Sequence, residues 1–221
     1  MRIACISAAN TRLRDDKSTS VAVCTMIKEM IEDENSTEAS VEIIPLRDYD
    51  FKSCILCGQC SRSGLCAYDS EFNRLLNTIT DVQIVFLVVP HYSPIPSKLL
   101  MIFEKINEIT YAGWLNDPTY QPPFQDIPVG IIGHGGMVEQ EESLRYYHDR
   151  LVTPIADTLR ALGFRVIGPD DRFPNGVVFG LKDDTCLQKK EGSIFPEILQ
   201  DWPRIRKSIR PLIANIMKVT E

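Results

Sequence analysis

The sequence has neither a long apolar segment nor a run of basic residues. Its longest apolar stretch, Ile84 to Pro90, is far shorter than the roughly 20 residues that a membrane-spanning helix needs. Met1 to Ser7 holds too few apolar residues for a signal peptide. With 24 basic against 30 acidic side chains the formal net charge is -6, which argues against a nucleic-acid partner. We therefore expect a cytoplasmic protein that binds neither membrane nor nucleic acid.

Two nucleotide-binding motifs are also missing. The segment after the first apolar stretch, Ser7 to Ser20, contains neither G-x-G-x-x-G nor the P-loop pattern G-x-x-x-x-G-K-S/T. This absence disfavours a Rossmann dinucleotide site and a nucleoside triphosphatase. Internal repeats and low-complexity segments are absent as well. A chain of 221 residues that is 44% apolar is ordinary for one globular domain, which we expect to cover 1–221.

What the sequence does contain is an alternation of short apolar segments with helical patterns. The predicted strands are Arg2–Ser7, Val41–Leu46, Val82–Val89, Val129–Ile132 and Phe164–Ile167. Because parallel neighbours need crossover connections, we predict an α/β three-layer sandwich with a five-stranded parallel sheet and helices on both faces. A long helix is expected over Glu139–Leu162 with a kink at Pro154, and 168–221 is treated as a C-terminal extension. Tyr111 to Asp126 is predicted to be a long functional loop, which could cover a ligand.

Three loops should converge at the carboxyl edge of this sheet, where such folds bind ligands. The first, Ser7 to Ser20, offers hydroxyls, an amide and a helix N-terminus, a set that suits a phosphate monoester, although Ser18 could equally be only a helix cap. Its candidate residues are Ser7, Asn10, Ser18, Thr19 and Ser20.

The second loop carries three prolines and could hold a flat ring rigidly. His91 could donate a hydrogen bond there or be purely structural. The third loop is expected to break the fourth strand, so that backbone N–H groups approach a ligand closely, although Gly136 could equally be only a turn residue. The candidate residues of these two loops are Pro90, His91, Tyr92, Ser93, Ile95, Gly133, His134, Gly135 and Gly136.

Four of the seven cysteines lie together in the segment 52–68. Cys54, Cys57, Cys60 and Cys66 have the spacing C-x2-C-x2-C-x5-C. In a reducing compartment such crowding favours a metal or catalysis over disulfides. Iron-sulfur ligation, zinc ligation, a redox-active thiol pair and a loop without a ligand all remain open. The isolated Cys5, Cys24 and Cys186 are expected to be small core residues.

Taken together, the chain resembles the NAD(P)H-dependent FMN reductase family and, within it, the iron-sulfur flavoproteins. The resemblance rests on Ser7…Lys17-Ser18-Thr19-Ser20, the cysteine motif, Val88-Val89-Pro90-His91-Tyr92…Pro96-Ser97-Lys98-Leu99-Leu100 and Gly133-His134-Gly135-Gly136. It implies a flavodoxin-like fold with strand order 2-1-3-4-5. FMN would have its phosphate on the first loop and its ring between the other two loops. The four cysteines would hold a 4Fe-4S cluster.

The resemblance also implies a function and partners. We expect an FMN-dependent oxidoreductase with no catalytic side chain, which moves electrons between a donor, FMN and the cluster. The donor would be NAD(P)H or a redox partner such as ferredoxin. The protein would form a homodimer or homotetramer in which the cluster of one subunit faces the flavin of another. The alternatives are an electron carrier without small-molecule turnover, and an FMN reductase whose cysteine loop binds zinc or acts as a thiol switch.

Overall fold

The fold is a twisted parallel sheet covered by helices on both faces. The computed structural model describes residues 1–10, 18–34, 39–189, 191–192 and 196–219. The strands are β1 Arg2–Ser7, β2 Ser40–Pro45, β3 Ile84–Pro90, β4 Pro128–Val138, β5 Arg165–Ile167, β6 Val177–Leu181, β7 Leu187–Gln188 and β8 Glu197–Ile198. The helices are α1 Thr19–Glu34, α2 Cys60–Ser63, α3 Ser70–Thr80, α4 Ser97–Asn116, α5 Glu141–Tyr147, α6 Thr153–Ala161 and α7 Trp202–Lys218.

The strand order of the main sheet is β2-β1-β3-β4-β5, and every pair along this path is parallel. This order is that of flavodoxin-like folds, so the predicted fold class is confirmed. A sixth strand that was not predicted, β6, pairs in parallel with the far half of β4. The remaining strands, β7 and β8, form a separate antiparallel pair.

The sheet separates two apolar clusters. On one face α3, α4 and α6 pack on side chains such as Val85 and Leu87, and on the other face α1 and α7 pack on side chains such as Phe86 and Val88. All residues of β3 are buried, as expected of a central strand in a parallel sheet. The C-terminal extension thus provides one covering helix and one strand of the main sheet.

The prediction that Gly133–Gly136 breaks the fourth strand is wrong, because β4 continues to Val138. A Cβ atom on Gly135 would lie 2.2 Å from the ring of Tyr147. Glycine at this position therefore makes room for a tyrosine that packs against the strand, without a turn. Pairing with β6, in which His134 lies opposite Phe179, extends the strand beyond the edge that β3 reaches.

The predicted loop Tyr111–Asp126 is also partly wrong, because α4 extends to Asn116. The remaining segment lies at the amino end of β4, where the N–H of Asp126 donates to Gly163 O at 2.8 Å. Its side chain Phe124 is fully buried and stacks on Phe164 with ring centroids 4.9 Å apart. This segment is therefore at the opposite edge of the sheet from the predicted ligand loops.

The predicted helix Glu139–Leu162 is divided. Its two α-helical parts, α5 and α6, are joined by a π-helical turn over His148–Val152. This turn ends just before Pro154, whose ring cannot donate a backbone hydrogen bond, so an irregular turn at this place has an identifiable cause. Among the helices of the described residues, none is long and apolar enough to cross a membrane.

Candidate functional site

The carboxyl ends of β1, β3 and β4 bring residues of all three predicted loops into contact. The N–H of His91 donates to His134 O at 2.7 Å. Asn10 reaches across with two long hydrogen bonds, from its N–H to Tyr92 Oη and from its side-chain Nδ2 to Ser97 Oγ, both at 3.4 Å. The part of the first loop at 11–17 lies outside the described residues.

Several polar atoms at this edge are buried without a hydrogen-bond partner in the described part of the chain. They are Ser7 Oγ, Asn10 Oδ1 and His91 Nε2. An unsatisfied buried polar atom costs about 1–3 kcal/mol, so each such atom needs an explanation, of which a bound ligand is one and an ordered water another. Ser7 is the last residue of β1, Asn10 follows that strand, and His91 follows β3. A polar ligand at this edge would satisfy all three atoms.

Ser18, Thr19 and Ser20 lie at the start of α1. The carbonyl of Ser18 accepts a hydrogen bond from Ala22 N at 2.9 Å, so Ser18 begins the helix. Ser20 Oγ lies 2.7 Å from His134 Nε2 in a buried contact. The imidazole of His134 therefore faces α1, and it stacks on Phe179 with centroids 5.3 Å apart.

Burial favours the neutral form of both histidines of the site. Burial lowers the pKa of His134 to about 4, and it also lowers the pKa of His91 from its ordinary value of 6.5. The ring of His91 lies 5.4 Å from the rings of Tyr146 and Tyr147, centroid to centroid. A neutral imidazole can donate one hydrogen bond and accept another, which suits a polar ligand without adding charge.

The other second-loop residues form the rim of this edge. Pro90 is buried, Ile95 is half-buried, and Tyr92 and Ser93 are exposed. Tyr146 and Met137, which were not predicted, are also exposed here, at 43% and 40%. No short sequence motif marks these two, since they reach the rim only through the extension of β4 and the end of α5.

The glycines of the third loop differ in their surroundings. A Cβ on Gly133 would lie 2.7 Å from Val152 Cγ2, and the corresponding space at Gly135 is filled by Tyr147. Tyr147 also accepts a hydrogen bond from Met137 N at 2.9 Å. Gly136 has no atom within 4 Å of the same position, so its backbone is open to a ligand.

The four clustered cysteines line a second site, a cavity of about 230 Å³. Cys57 is exposed, while Cys54, Cys60 and Cys66 are half-buried. Burial raises the pKa of the Cys60 thiol, and the nearby Cys57 and Cys54 raise it further. In the residues that the structure describes, no three His, Cys, Asp or Glu side chains are grouped as metal ligands. The thiols thus share a cavity without converging on one point.

The cysteine cavity lies along α4, away from the first site. Its wall includes Lys105, Glu108 and Ile109, whereas the first site contacts Ser97 at the start of the same helix. At a rise of 1.5 Å per residue, the two sites are about 12–18 Å apart along the helix axis. The cavity therefore cannot belong to the ligand site at the sheet edge.

Sequence reasoning missed the side chains that hold the cysteine loop. The most buried of these are Lys105 and Asp69, each 2% exposed. Their contact joins positions 36 residues apart at a distance of 2.7 Å. No local pattern reveals such a pair.

The strand order and the helices on both faces of the sheet define a flavodoxin-like α/β fold. No protein-family model matches the sequence, and no curated protein matches it either.

Solved structures share the fold. RosB, with the bound intermediate 8-demethyl-8-formylriboflavin-5'-phosphate, superposes with a TM-score of 0.61 at 13% identity, over 99% of this chain and 78% of that chain. The apo form of an NADH:FMN oxidoreductase (EMOB) gives a TM-score of 0.55 at 11% identity, over 96% and 88%. FerB, a flavoenzyme NAD(P)H:(acceptor) oxidoreductase from Paracoccus denitrificans, gives 0.53 at 11% identity, over 98% and 97%. At these identities the likeness establishes the fold.

Proposed function

We propose that this chain binds FMN at the carboxyl edge of its sheet and acts as a flavin-dependent oxidoreductase. The observation that carries the proposal is the set of buried atoms Ser7 Oγ, Asn10 Oδ1 and His91 Nε2, which have no hydrogen-bond partner among the described residues. Ligands of flavodoxin-like sheets bind at this edge. The flavin phosphate named for RosB and the activities named for EMOB and FerB agree with it.

The residues at this edge fit the two ends of such a cofactor. The N-terminus of α1, with Ser18, Thr19 and Ser20, would hold the phosphate, because helix N-termini present free N–H groups and a favourable dipole to anions. The ring would lie near His91 and the open backbone of Gly136. When bound, FMN supplies the hydride and electron chemistry, and the protein positions it. No side-chain acid or base is needed.

The proposal is tested by titrating the protein with FMN and following quenching of flavin fluorescence. Ser7→Ala removes one hydrogen bond to a charged or polar group, so we expect the Kd to rise roughly 10- to 100-fold. Ser208→Ala is the matched control, since its hydroxyl donates within α7 to Arg204 O at 3.1 Å. Equal Kd values for the two variants would contradict the assignment of Ser7.

We further propose NAD(P)H as the electron donor. Anaerobic addition of NADH or NADPH to the FMN-loaded protein should bleach the oxidised flavin absorbance. Full reduction by ferredoxin, without reduction by either nicotinamide, would assign the donor to a redox protein instead.

One observation favours a second candidate function, an electron carrier. The segment after Asn116, which was expected to cover the ligand, lies at the amino edge of the sheet. In the described part of the chain the carboxyl edge is bordered by the exposed side chains of Tyr92, Met137 and Tyr146. An open flavin edge suits a protein partner. Steady-state oxidation of NAD(P)H with quinone or azo acceptors favours the enzyme. Reduction of the flavin once, without steady-state oxidation of NAD(P)H by these acceptors, favours the carrier.

We propose that the cysteine cavity holds a 4Fe-4S cluster. The proposal rests on donor chemistry, because four thiols in one compact loop are the donor set that such clusters use and all four line one cavity. Among the described residues they are not grouped around one point, so binding would require the loop to draw the four thiols together. The cluster would supply one-electron transfer, and the chain would supply Cys54, Cys57, Cys60 and Cys66 as ligands.

Anaerobic purification followed by iron and zinc analysis tests the cluster. Iron with a broad visible absorption that Cys57→Ser removes and Cys186→Ala retains would support it, because Cys186 is a buried cysteine outside the cavity. Zinc without iron selects the zinc alternative, and a metal-free loop with reversible thiol oxidation selects the thiol switch.

We also propose a homo-oligomer working in the cytoplasm. Leu56 in the cysteine loop is 73% exposed, and in α4 Leu115 and its chain neighbour Trp114 are 68% and 47% exposed. Exposed apolar side chains of this size often mark subunit contacts. Light scattering should give a dimer or tetramer, and Leu115→Glu should reduce it to smaller species.

A further inference from the structure

The two ends of the cysteine loop meet on one buried ion pair. Lys105 Nζ contacts Asp69 Oδ2 at 2.7 Å and donates to the carbonyl of Lys52. The carboxylate of Asp69 also accepts hydrogen bonds from Lys52 N at 2.8 Å and Phe72 N at 2.9 Å. Lys52 precedes the first cysteine of the loop and Asp69 follows the last. Together these contacts close the loop at its base.

The ion pair is well compensated. Burial opposes ionisation of Asp69, but the hydrogen bonds from Lys105 and from the two N–H groups outweigh it, and the pKa of Asp69 is lowered. A buried charge without its partner is strongly destabilising, so neither member of the pair can be lost alone without disturbing the base of the loop. Lys105 also lines the cysteine cavity itself.

A second contact fixes the last cysteine. The N–H of Cys66 donates to Asn73 Oδ1 at 2.8 Å, and Asn73 Nδ2 donates to Cys66 O at 2.8 Å. The backbone of Cys66 is thus held to α3 from both sides. Within the loop, Leu56 has φ 51°, a left-handed conformation that non-glycine residues keep only when their surroundings enforce it.

We propose that Lys105 and Asn73 are positioning residues of the cysteine site, and that the four thiols bind a metal group only while both contacts are intact. Lys105 holds the ends of the loop together, and Asn73 sets the place of Cys66. The proposal rests on the proposed metal-binding function of the loop. The closure itself can be measured without any metal.

The experiment uses Asn73→Ala and the charge-neutral double variant Lys105→Met with Asp69→Asn, which avoids an unpaired buried charge. Lys98→Met is the matched control. Lys98 lies on the same helix and donates to Leu46 O at 2.9 Å and Arg47 O at 3.2 Å, before the cysteine loop begins. Lys105→Arg is the conservative variant, which keeps the charge.

Two readouts are taken on proteins with unchanged circular dichroism. The first is the rate of tryptic cleavage after Arg62, an exposed residue inside the loop. The second is the iron content and visible absorption after anaerobic purification. We expect Asn73→Ala and the double variant to be cleaved at least 10-fold faster and to lose at least half of the absorption. Lys98→Met should change neither the cleavage rate nor the absorption. Lys105→Arg should keep most of the wild-type resistance to cleavage and most of the absorption.

Wild-type cleavage rates and absorption in Asn73→Ala and the double variant would overturn the proposal. If the wild type carries no metal, the cluster proposal fails separately, and with it the part of this proposal that concerns metal binding. The cleavage rates then test whether these contacts close the loop. Faster cleavage of Asn73→Ala and of the double variant supports the closure, and unchanged rates overturn it.

Discussion

His134 should make the protein less stable in mild acid. The residue is 8% exposed, and its ring contacts Ser20 and stacks on Phe179. Burial lowers its pKa from 6.5 to about 4. Because the folded pKa is below the unfolded one, the unfolded chain takes up a proton first as the pH falls. The contribution of the neutral His134 to the free energy of unfolding is therefore fully present above about pH 6.5 and is lost progressively as the pH falls toward 4.

The size of the effect follows from the two pKa values. At about pH 5 the unfolded imidazole is almost fully protonated while the folded one is mostly neutral, which lowers the free energy of unfolding by about 2 kcal/mol relative to neutral pH. Urea unfolding of the wild type and of His134→Gln at both pH values isolates this term, since the other titrating groups are common to both proteins. The variant should lose about 2 kcal/mol less than the wild type on acidification. Equal losses would refute the reasoning.

Two further predictions test packing. Gly135→Ala forces a methyl group into the ring of Tyr147 and should lower the free energy of unfolding by about 1–3 kcal/mol. Gly136→Ala is the control, because the space around Gly136 is open, and it should leave stability unchanged. Similar urea midpoints for the two variants would contradict the packing described for Gly135. Phe124→Ala removes a ring stacked on Phe164 and should cost about 3–5 kcal/mol. Because Phe124 lies at the amino edge of the sheet, FMN affinity measured below the melting temperature should not change, and a weakened affinity would count against that placement.

The sheet could be predicted from the sequence because its signals are local. The apolar segment at Ile84–Pro90 is buried on both faces, and its residues alternate between the two clusters, as continuous apolar strands do. Strand order followed from the resemblance. The short segment at Val177 gave no such signal, since its pairing partner is the extension of β4.

The errors arose where a tertiary contact outweighed a local propensity. Glycines at 133–136 are typical of a break, but here Tyr147 and Val152 occupy the space that two of them leave. Tyr111–Asn116 lacks helical periodicity, yet it continues α4, where Asn116 Nδ2 donates to Ser61 O at 2.6 Å. The contact between α4 and the cysteine loop is long-range and invisible in a local pattern.

The candidate site could be predicted as a set of loops, but its details depend on burial. Ser7 and His91 were predicted as polar ligands, and the structure adds that Ser7 Oγ and His91 Nε2 are buried and have no hydrogen-bond partner in the part of the chain that it describes. The orientation of His134 toward Ser20 depends on how α1 packs across β4, which the sequence does not reveal. The ion pair of Lys105 and Asp69 could not be predicted, because it depends on how the start of α3 packs on α4.

The central claim is that the carboxyl edge of this sheet binds FMN, and equilibrium dialysis of the full chain against FMN under reducing conditions tests it most directly. We predict saturable binding of one FMN per chain. Bound radiolabelled FMN should be displaced by an excess of unlabelled FMN. A protein that remains colourless and retains no FMN above the dialysis buffer would contradict the claim, whatever the cysteine loop binds.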